Sequence, residues 1–191
     1  MSPLTTVVIL FLLFAATATA HAAGSAPPAT PAQTENPSTA AAQYDLARQL
    51  SSRADAGGAK AAVEQQYLEV VKWYRKAALQ GYAPAQYSLG QLYYDGIVVK
   101  KNYKEAFKWF DKAARQDIRP AQFYTGLCYQ LGLGTKQNDA EAYFWLTLAQ
   151  KGGWQVSPVV LDNSAQKLKP ERRDEIKKRV EAWKPAPARK T

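Results

Sequence analysis

The most constraining feature of this chain is an internal repeat. Residues 67–102 align with residues 103–138 without a gap, which gives a period of 36 residues, and the first half of a third copy follows at 139–153. A repeat of this length is one supersecondary unit, and it buries its apolar face only by stacking on its neighbours. Identical residues recur in register, among them Tyr67/Tyr103, Trp73/Trp109, Lys76/Lys112, Ala77/Ala113, Pro84/Pro120, Gln86/Gln122, Gly90/Gly126, Tyr93/Tyr129, Gly96/Gly132 and Asn102/Asn138.

Each unit is predicted to contain two helices. In the first helix Val70, Trp73 and Ala77 recur at helical spacing, which places them on one face. The second helix begins near a proline, Pro84 in the first unit, at a position that tolerates proline. We therefore expect an all-α fold: a short α-solenoid of tandem 36-residue helix–turn–helix units with capping helices at its ends.

The repeated pattern resembles the Sel1-like repeat (SLR) family, a relative of the tetratricopeptide repeat. The resemblance rests on a W-Y/F-x-K-A-A…G…A-Q…G…Y…G pattern and covers residues 67–153. The second unit departs from the pattern at Asp117, where glycine is usual, and at Thr125, where leucine is usual. The positions that carry the pattern in the first unit are Trp73 to Ala78, Gly81, Ala85, Gln86, Gly90, Tyr93 and Gly96.

The amino terminus has the pattern of an export signal. Residues 1–23 carry no charged side chain, and 7–14 is an unbroken apolar run followed by small residues suited to cleavage. We expect 1–23 to be a signal peptide, and hence a periplasmic or secreted protein with no membrane span after cleavage. The alternative is an uncleaved anchor, since this segment is just long enough to span a bilayer.

Composition and repeat period predict how the segments on either side of the repeats are organised. AAQYDLARQL (41–50) resembles AQYSLGQLY (85–93), so a lone second helix is expected there, followed by an insertion at 51–63. The predicted organisation is: 1–23 signal peptide; 24–40 disordered linker rich in Pro, Ala and Ser; 41–66 degenerate leading helix and insertion; 67–102 and 103–138 full repeats; 139–169 partial third repeat; 170–184 C-terminal capping helix; 185–191 disordered tail.

A cap at the carboxyl end is predicted from one change in the repeat. The third unit carries Phe144 and Leu148 at outward positions where the earlier units carry lysine, and an apolar outer face needs a cover. A single apolar stripe on the last predicted helix would provide it. The alternative covers are a partner protein or a second copy of the chain. The stripe consists of Ile176, Val180 and Trp183.

Groups suited to catalysis or metal binding are sparse. The single histidine, His21, lies at the signal, and the single cysteine, Cys128, aligns with the inner-face residue Leu92. The commonest general base and metal ligand is therefore missing from the repeats, and Cys128 is expected to be a buried apolar residue. We expect no enzyme activity, no cofactor and no metal. Hydrolysis of β-lactams is described for cysteine-rich relatives, whose paired cysteines this chain lacks.

Repeat-equivalent positions at the edge of the apolar stripe are the candidate binding surface. Val71, Phe107 and Tyr143 would line one face of the solenoid, with Arg75 and Asp111 beside them. Solenoids present such extended faces to ligands.

A second candidate surface is a basic ridge formed by Lys72, Lys76, Lys108 and Lys112. The net charge of +9 is uneven: residues 24–66 carry −1, whereas 67–153 and 154–191 carry +5 each. The ridge is either a solubilising face or an attraction for an anionic partner.

The family resemblance implies an adaptor that assembles protein complexes in the bacterial cell envelope. The expected partners are therefore envelope proteins. An anionic or cell-wall glycan is the alternative, motivated by the surface lysines and the aromatic content, and nucleic acid is disfavoured by export.

Overall fold

The computed structural model describes residues 38–55, 60–96 and 98–187. The signal peptide and residues 24–37 of the predicted linker lie outside them. The described residues contain eight helices and no strand, as the repeat predicts, and successive helices pack on one another as helix–turn–helix pairs. The helices are α1 (Ala40–Asp55), α2 (Lys60–Leu79), α3 (Ala83–Asp95), α4 (Tyr103–Ala114), α5 (Arg119–Leu131), α6 (Asp139–Lys151), α7 (Pro158–Ala165) and α8 (Pro170–Ala182).

Identical side chains start equivalent helices. The side-chain oxygen of Asn102 accepts hydrogen bonds from the backbone N–H groups of Lys104 and Glu105 at 3.1 and 3.2 Å, which caps α4. Asn138 caps α6 in the same way, at 3.1 Å to each of two backbone nitrogens. These bonds satisfy amide groups that a helix start otherwise leaves unpaired.

The departure of the second unit at Asp117 is accommodated in the backbone. Gly81 follows α2 with φ of 95°, and Asp117 follows α4 with φ of 66°. This left-handed conformation favours glycine, but aspartate tolerates it better than most residues. Asp117 also accepts a hydrogen bond from Nε2 of Gln122 at 3.2 Å, so the side chain contributes a contact that glycine could not.

Two glycines allow the helices of adjacent pairs to approach closely. Gly90 of α3 faces the ring of Phe110, and a methyl group at Gly90 would lie 2.6 Å from Cδ1 of that ring. Gly126 of α5 stands in the same relation to Leu146, at 2.7 Å from Cγ. Glycine at these two equivalent positions therefore permits the close packing of the helices.

The leading segment is more helical than the sequence indicated. The expected insertion at 51–63 is helical over 51–55, as the end of α1, and over 60–63, as the start of α2. Residues 56–59 of that insertion lie outside the described residues. The prediction was wrong because it began the first repeat helix at Tyr67, whereas α2 extends seven residues further towards the amino terminus.

The carboxyl end contains a helix that the sequence analysis missed and a cap that it expected. Helix α7 packs on α6, and Gln130 of α5 donates to the carbonyl oxygen of Val160 at 2.8 Å and to Oγ of Ser164 at 2.7 Å. Ile176 and Val180 of α8 are each 2% exposed and pack in one cluster with Phe144, as the sequence predicts. Leu148 and the half-buried Trp183 belong to the same cluster.

The expected disordered tail is ordered at its start. The backbone N–H of Ala186 donates to the carbonyl oxygen of Arg115 at 2.7 Å, which fixes the segment after α8 against the end of α4. Residues 188–191 of that tail lie outside the described part of the chain. Within the described residues, no helix is long and apolar enough to cross a membrane.

Candidate functional site

The row predicted from Val71, Phe107 and Tyr143 does not form a continuous exposed surface. Val71 is half-buried against the cluster around Leu89, and Phe107 packs edge-on against Tyr129 with ring centroids 5.1 Å apart. Tyr143 is only 6% exposed, in the cluster with Ile176 and Val180, so that member of the prediction is corrected to a core position. The repeat alignment could not show that Tyr143 is buried, because the residues of α8 that pack in the same cluster lie outside the repeated part of the sequence.

The two polar residues predicted beside that row are engaged within the chain. Arg75 donates to the hydroxyl of Tyr93 at 2.7 Å. Asp111 accepts two hydrogen bonds from Arg115 at 2.8 and 2.9 Å, the geometry of a bidentate ion pair. Both therefore stabilise the repeat surface locally.

The basic ridge is exposed along α2 and α4, as predicted for its four lysines. Lys72 pairs with Glu69 at 2.5 Å, and Lys108 pairs with Glu105 at 3.4 Å. The Lys108 ammonium also lies 5.5 Å from the centroid of the Trp109 ring. Lys76 and Lys112 differ, because each lies over an indole ring and has no ion-pair partner among the described residues. The distances from Nζ to the ring centroid are 4.7 Å for Lys76 over Trp73 and 4.5 Å for Lys112 over Trp109.

A contiguous group of aromatic side chains forms a surface that the sequence analysis did not identify. Its rings contact one another in series, with centroid distances of 5.4 Å for Tyr103–Tyr94, 5.4 Å for Tyr94–Tyr124, 5.6 Å for Tyr124–Phe123 and 6.3 Å for Phe123–Trp154. The ring of Tyr87 lies 6.2 Å from that of Tyr124. We call this group the aromatic strip; it consists of Tyr87, Tyr94, Tyr103, Phe123, Tyr124 and Trp154.

Three features make the aromatic strip a surface and not a core. All six side chains are only partly buried. The four tyrosine hydroxyls make no hydrogen bond with the described residues. None of these hydroxyls is a buried polar atom without a hydrogen-bond partner. The residues also come from α3, the start of α4, α5 and the segment after α6, so the strip spans successive pairs of helices. It thus offers large rings and free hydroxyls over an extended face.

A carboxylate lies at the edge of the aromatic strip. Burial raises the pKa of Asp95, while the nearby Lys101 ammonium lowers it. Burial raises the pKa of Tyr94 and of Tyr124, and the negative charge of Asp95 adds to the rise in both. The phenols therefore remain protonated, as hydrogen-bond donors, at physiological pH.

The aromatic strip is not evident from the repeat pattern, because several of its members do not recur in the repeat. Tyr94 aligns with Gln130, and Tyr124 aligns with Ser88, so neither aromatic recurs in the repeat. Trp154 lies beyond the last aligned residue. The available signal was the spacing of Tyr87 and Tyr94, seven residues apart, which places both on one face of α3.

The described residues offer little for chemistry. Cys128 is fully buried and free, and burial raises its pKa to about 12, so the thiol is protonated and unreactive at neutral pH. No group of three or more His, Cys, Asp or Glu in the described ranges is arranged to hold a metal ion. The aromatic strip is therefore suited to contact with another molecule.

The packing of successive helix–turn–helix pairs defines the chain as an α-solenoid repeat protein. The sequence profile of the Sel1 repeat matches residues 40–82, 83–118 and 119–153, which is more than half of the chain. The chain therefore belongs to the Sel1 repeat family. The profile pairs α1 with α2, α3 with α4 and α5 with α6, so the leading helix is counted within the first of three repeats.

Solved structures with the same fold are similar to the chain. One is a protective antigen of uropathogenic Escherichia coli strains displaying an SLR fold, with 26% identity and a TM-score of 0.58; the match covers 81% of this chain and 35% of that one. Another is a Sel1 repeat protein from Oxalobacter formigenes, with 28% identity and a TM-score of 0.51, covering 70% of this chain and 60% of that one. The chain thus spans less than two thirds of either relative.

No curated protein sequence matches the chain significantly. Sel1 repeat proteins are in general protein-interaction scaffolds, and the fold is typically non-enzymatic.

Proposed function

We propose that this chain is a protein-interaction scaffold that binds a partner protein through the aromatic strip. The observation that carries the proposal is the continuity of the strip. Partly exposed rings from α3, α4 and α5 contact one another in series, and their hydroxyls have no partner within the described chain. Tyrosine and tryptophan are enriched at protein interfaces because they combine apolar area with a polar group.

The way the strip is held favours recognition over simple solubility. The ring of Tyr124 stacks on Phe110, with centroids 4.9 Å apart and an interplanar angle of 16°, and Phe110 is fully buried. The exposed edge is therefore fixed to the core, so little side-chain entropy is lost when a partner binds.

We further propose that the scaffold acts outside the cytoplasm, in the bacterial cell envelope. The support is the uncharged, apolar amino-terminal segment with small residues at its end. Fractionation of cells that express the chain, followed by amino-terminal sequencing of the protein, tests this. A mature protein in the periplasmic fraction that begins near residue 21 or 23 supports export, whereas an intact terminus in the cytoplasm argues against it.

Site-specific photocrosslinking tests the use of the aromatic strip. A benzoylphenylalanine at position 94 or 103 would lie within the strip, and one at position 131 would replace Leu131, which is 60% exposed at the end of α5. The proposal predicts one partner protein crosslinked from positions 94 and 103 and not from 131. An identical crosslinking pattern at all three positions would contradict it.

An anionic glycan is the second candidate ligand. The specific observation in its favour is that Lys76 and Lys112 lie over indole rings without an ion-pair partner among the described residues. Sedimentation with isolated cell-wall sacculi at low and high salt tests this function, since such binding depends on charge and is screened by salt. Absence of co-sedimentation, or co-sedimentation that salt does not reduce, would argue against it.

A further inference from the structure

A small pocket lies beside the last turns of α2 and α4. This is the end of the basic ridge that carries Lys76 and Lys112, away from the ion-paired Lys72 and Lys108. Its volume is about 230 Å³, and one wall is formed by Ala186 and Pro187 of the segment after α8. The hydrogen bond from Ala186 to the carbonyl oxygen of Arg115 holds that wall in place. The volume is smaller than that of pockets for whole small molecules and suits a single side chain.

The apolar part of this pocket is an exception within the repeat. Leu79 lines the pocket and is 63% exposed. The equivalent positions in the next two units are Arg115 and Lys151, which are the ordinary solvated residues for the end of such a helix. The repeat therefore does not require leucine here, and Leu79 gives the pocket an apolar residue where the next two units carry a cation.

The rim of the pocket is positively charged and only partly neutralised. Lys112 lines the pocket, and Lys76 lies one helical turn before Leu79. Neither lysine forms an ion pair with a described residue, and each is held over a tryptophan ring. Arg115 also lines the pocket, and its guanidinium is paired with Asp111 through two hydrogen bonds. The ammonium groups of Lys112, at the pocket, and of Lys76, one turn before Leu79, are thus left without a carboxylate partner among the described residues.

We propose that this pocket docks an acidic segment of a partner protein. An apolar side chain of the segment enters the cavity against Leu79, and its carboxylates lie on Lys76 and Lys112. This deepens the proposed scaffold function, on which it rests, by giving the chemistry of a partner at a second surface. The remaining residues of the chain's own tail are poor occupants, because Arg189 and Lys190 carry the same charge as the rim.

An acidic protein segment with an apolar side chain fits the pocket better than an anionic glycan or a lipid headgroup surface. A glycan or a lipid headgroup surface would use the lysines but not the cavity or Leu79. A ligand that contacts both the lysines and the cavity should bind through its apolar and its acidic groups together. Its carboxylates should make the affinity depend on salt.

The experiment uses a random peptide library displayed on phage, with peptides of about twelve residues. The full mature chain is the target, and the Leu79→Arg variant, which carries the residue of the next repeat, takes no part in the selection and is used only in the affinity measurements that follow. We expect enriched peptides that place an apolar residue among aspartates and glutamates. Failure to enrich any sequence, or enrichment of neutral or basic sequences, overturns the proposal.

An enriched peptide labelled with fluorescein is then titrated by fluorescence anisotropy. We expect Leu79→Arg and the pair Lys76→Gln/Lys112→Gln to weaken binding about tenfold each. The control Lys72→Gln, whose lysine is paired with Glu69, and the strip variant Tyr94→Gln should leave binding unchanged. Circular dichroism verifies that each variant is folded.

Three results would overturn the proposal. One is equal affinity for Leu79→Arg. Another is equal affinity for a peptide whose apolar residue is replaced by serine, which indicates a general polyanion site. The third is binding of phosphatidylglycerol vesicles that Leu79→Arg leaves intact. Tyr94→Gln changes the aromatic strip and not this pocket. A failure of the pocket to bind an acidic peptide is therefore distinguishable from a failure of the strip to bind a partner protein.

Discussion

The guanidinium of Arg179 lies over the ring of Phe144, with its Cζ 3.8 Å from the ring centroid. The same guanidinium donates to the carboxylate of Glu141 at 2.6 and 3.2 Å. Helix α8 therefore covers α6 with an apolar stripe and a cation together. Earlier units carry a lysine at the position of Phe144, which explains why only the last unit needs this cover.

Removal of the cap should expose the end of the solenoid. Deletion of residues 170–191 leaves Phe144 and Leu148, which are 1% and 5% exposed in the intact chain, facing water. We expect a lower melting temperature and self-association, which thermal melts and light scattering measure. A deletion product that stays monomeric and equally stable would contradict the role of α8.

A point variant isolates the same contact. Ile176→Ala removes a side chain that is 2% exposed and should cost about 2–4 kcal/mol of unfolding free energy. Lys178→Ala on the exposed face of α8 is the control and should change it by less than about 0.5 kcal/mol. Urea titration compares the two, and equal effects would count against specific packing.

Gly90→Ala tests the close approach of α3 and α4. Helix propensity alone predicts a gain of about 1 kcal/mol for this change. The new methyl group would instead meet the ring of Phe110 at 2.6 Å, so we expect a loss of about 1–3 kcal/mol. Because the two effects have opposite signs, urea unfolding decides between them. Gln91→Ala on the same helix serves as the control, and a stabilised Gly90→Ala protein would refute the close packing.

Cys128 should be inert in the folded protein. Its side chain is fully buried, and burial raises the thiol pKa to about 12. At pH 8 we expect alkylation by iodoacetamide to be slower by about a hundredfold or more than in urea, because the thiolate forms only after local or global opening. Mass spectrometry of timed samples measures this, and rapid labelling without denaturant would show an accessible thiol.

Asp95 should make stability depend on pH. Because burial raises its pKa in the folded state, folding favours the protonated carboxyl, and stability decreases as pH rises through that folded pKa. Asp95→Asn should therefore raise the melting temperature at pH 7, and the difference from the unaltered chain should shrink as the pH is lowered towards 4. Asp162→Asn, at an exposed position of α7, should not change the melting temperature. A less stable Asp95→Asn protein at pH 7 would reverse this account.

The fold was predictable from the sequence because the repeat encodes it at several levels. Apolar spacing defined the helices, and the lysine-to-Phe144 change located the cap. The surfaces were less predictable. Tyr143 was misplaced because its cover lies outside the period, and Tyr94 and Tyr124 were missed because they interrupt the repeat. An alignment of repeats identifies what the units share, whereas the strip and Leu79 are where they differ.

Binding of a partner protein by the aromatic strip is tested by changing its two non-recurring tyrosines. The most direct test compares partner recovery from cell-envelope extract by the mature chain and by the double variant Tyr94→Gln/Tyr124→Ser, in which each tyrosine becomes the residue of the equivalent repeat position. Tyr94→Phe/Tyr124→Phe, which keeps the rings, separates the hydroxyls from the rings, and circular dichroism verifies folding. The account predicts a loss of the specific partner of about tenfold or more with the double variant. Unchanged recovery of the same partner by a folded double variant would contradict it.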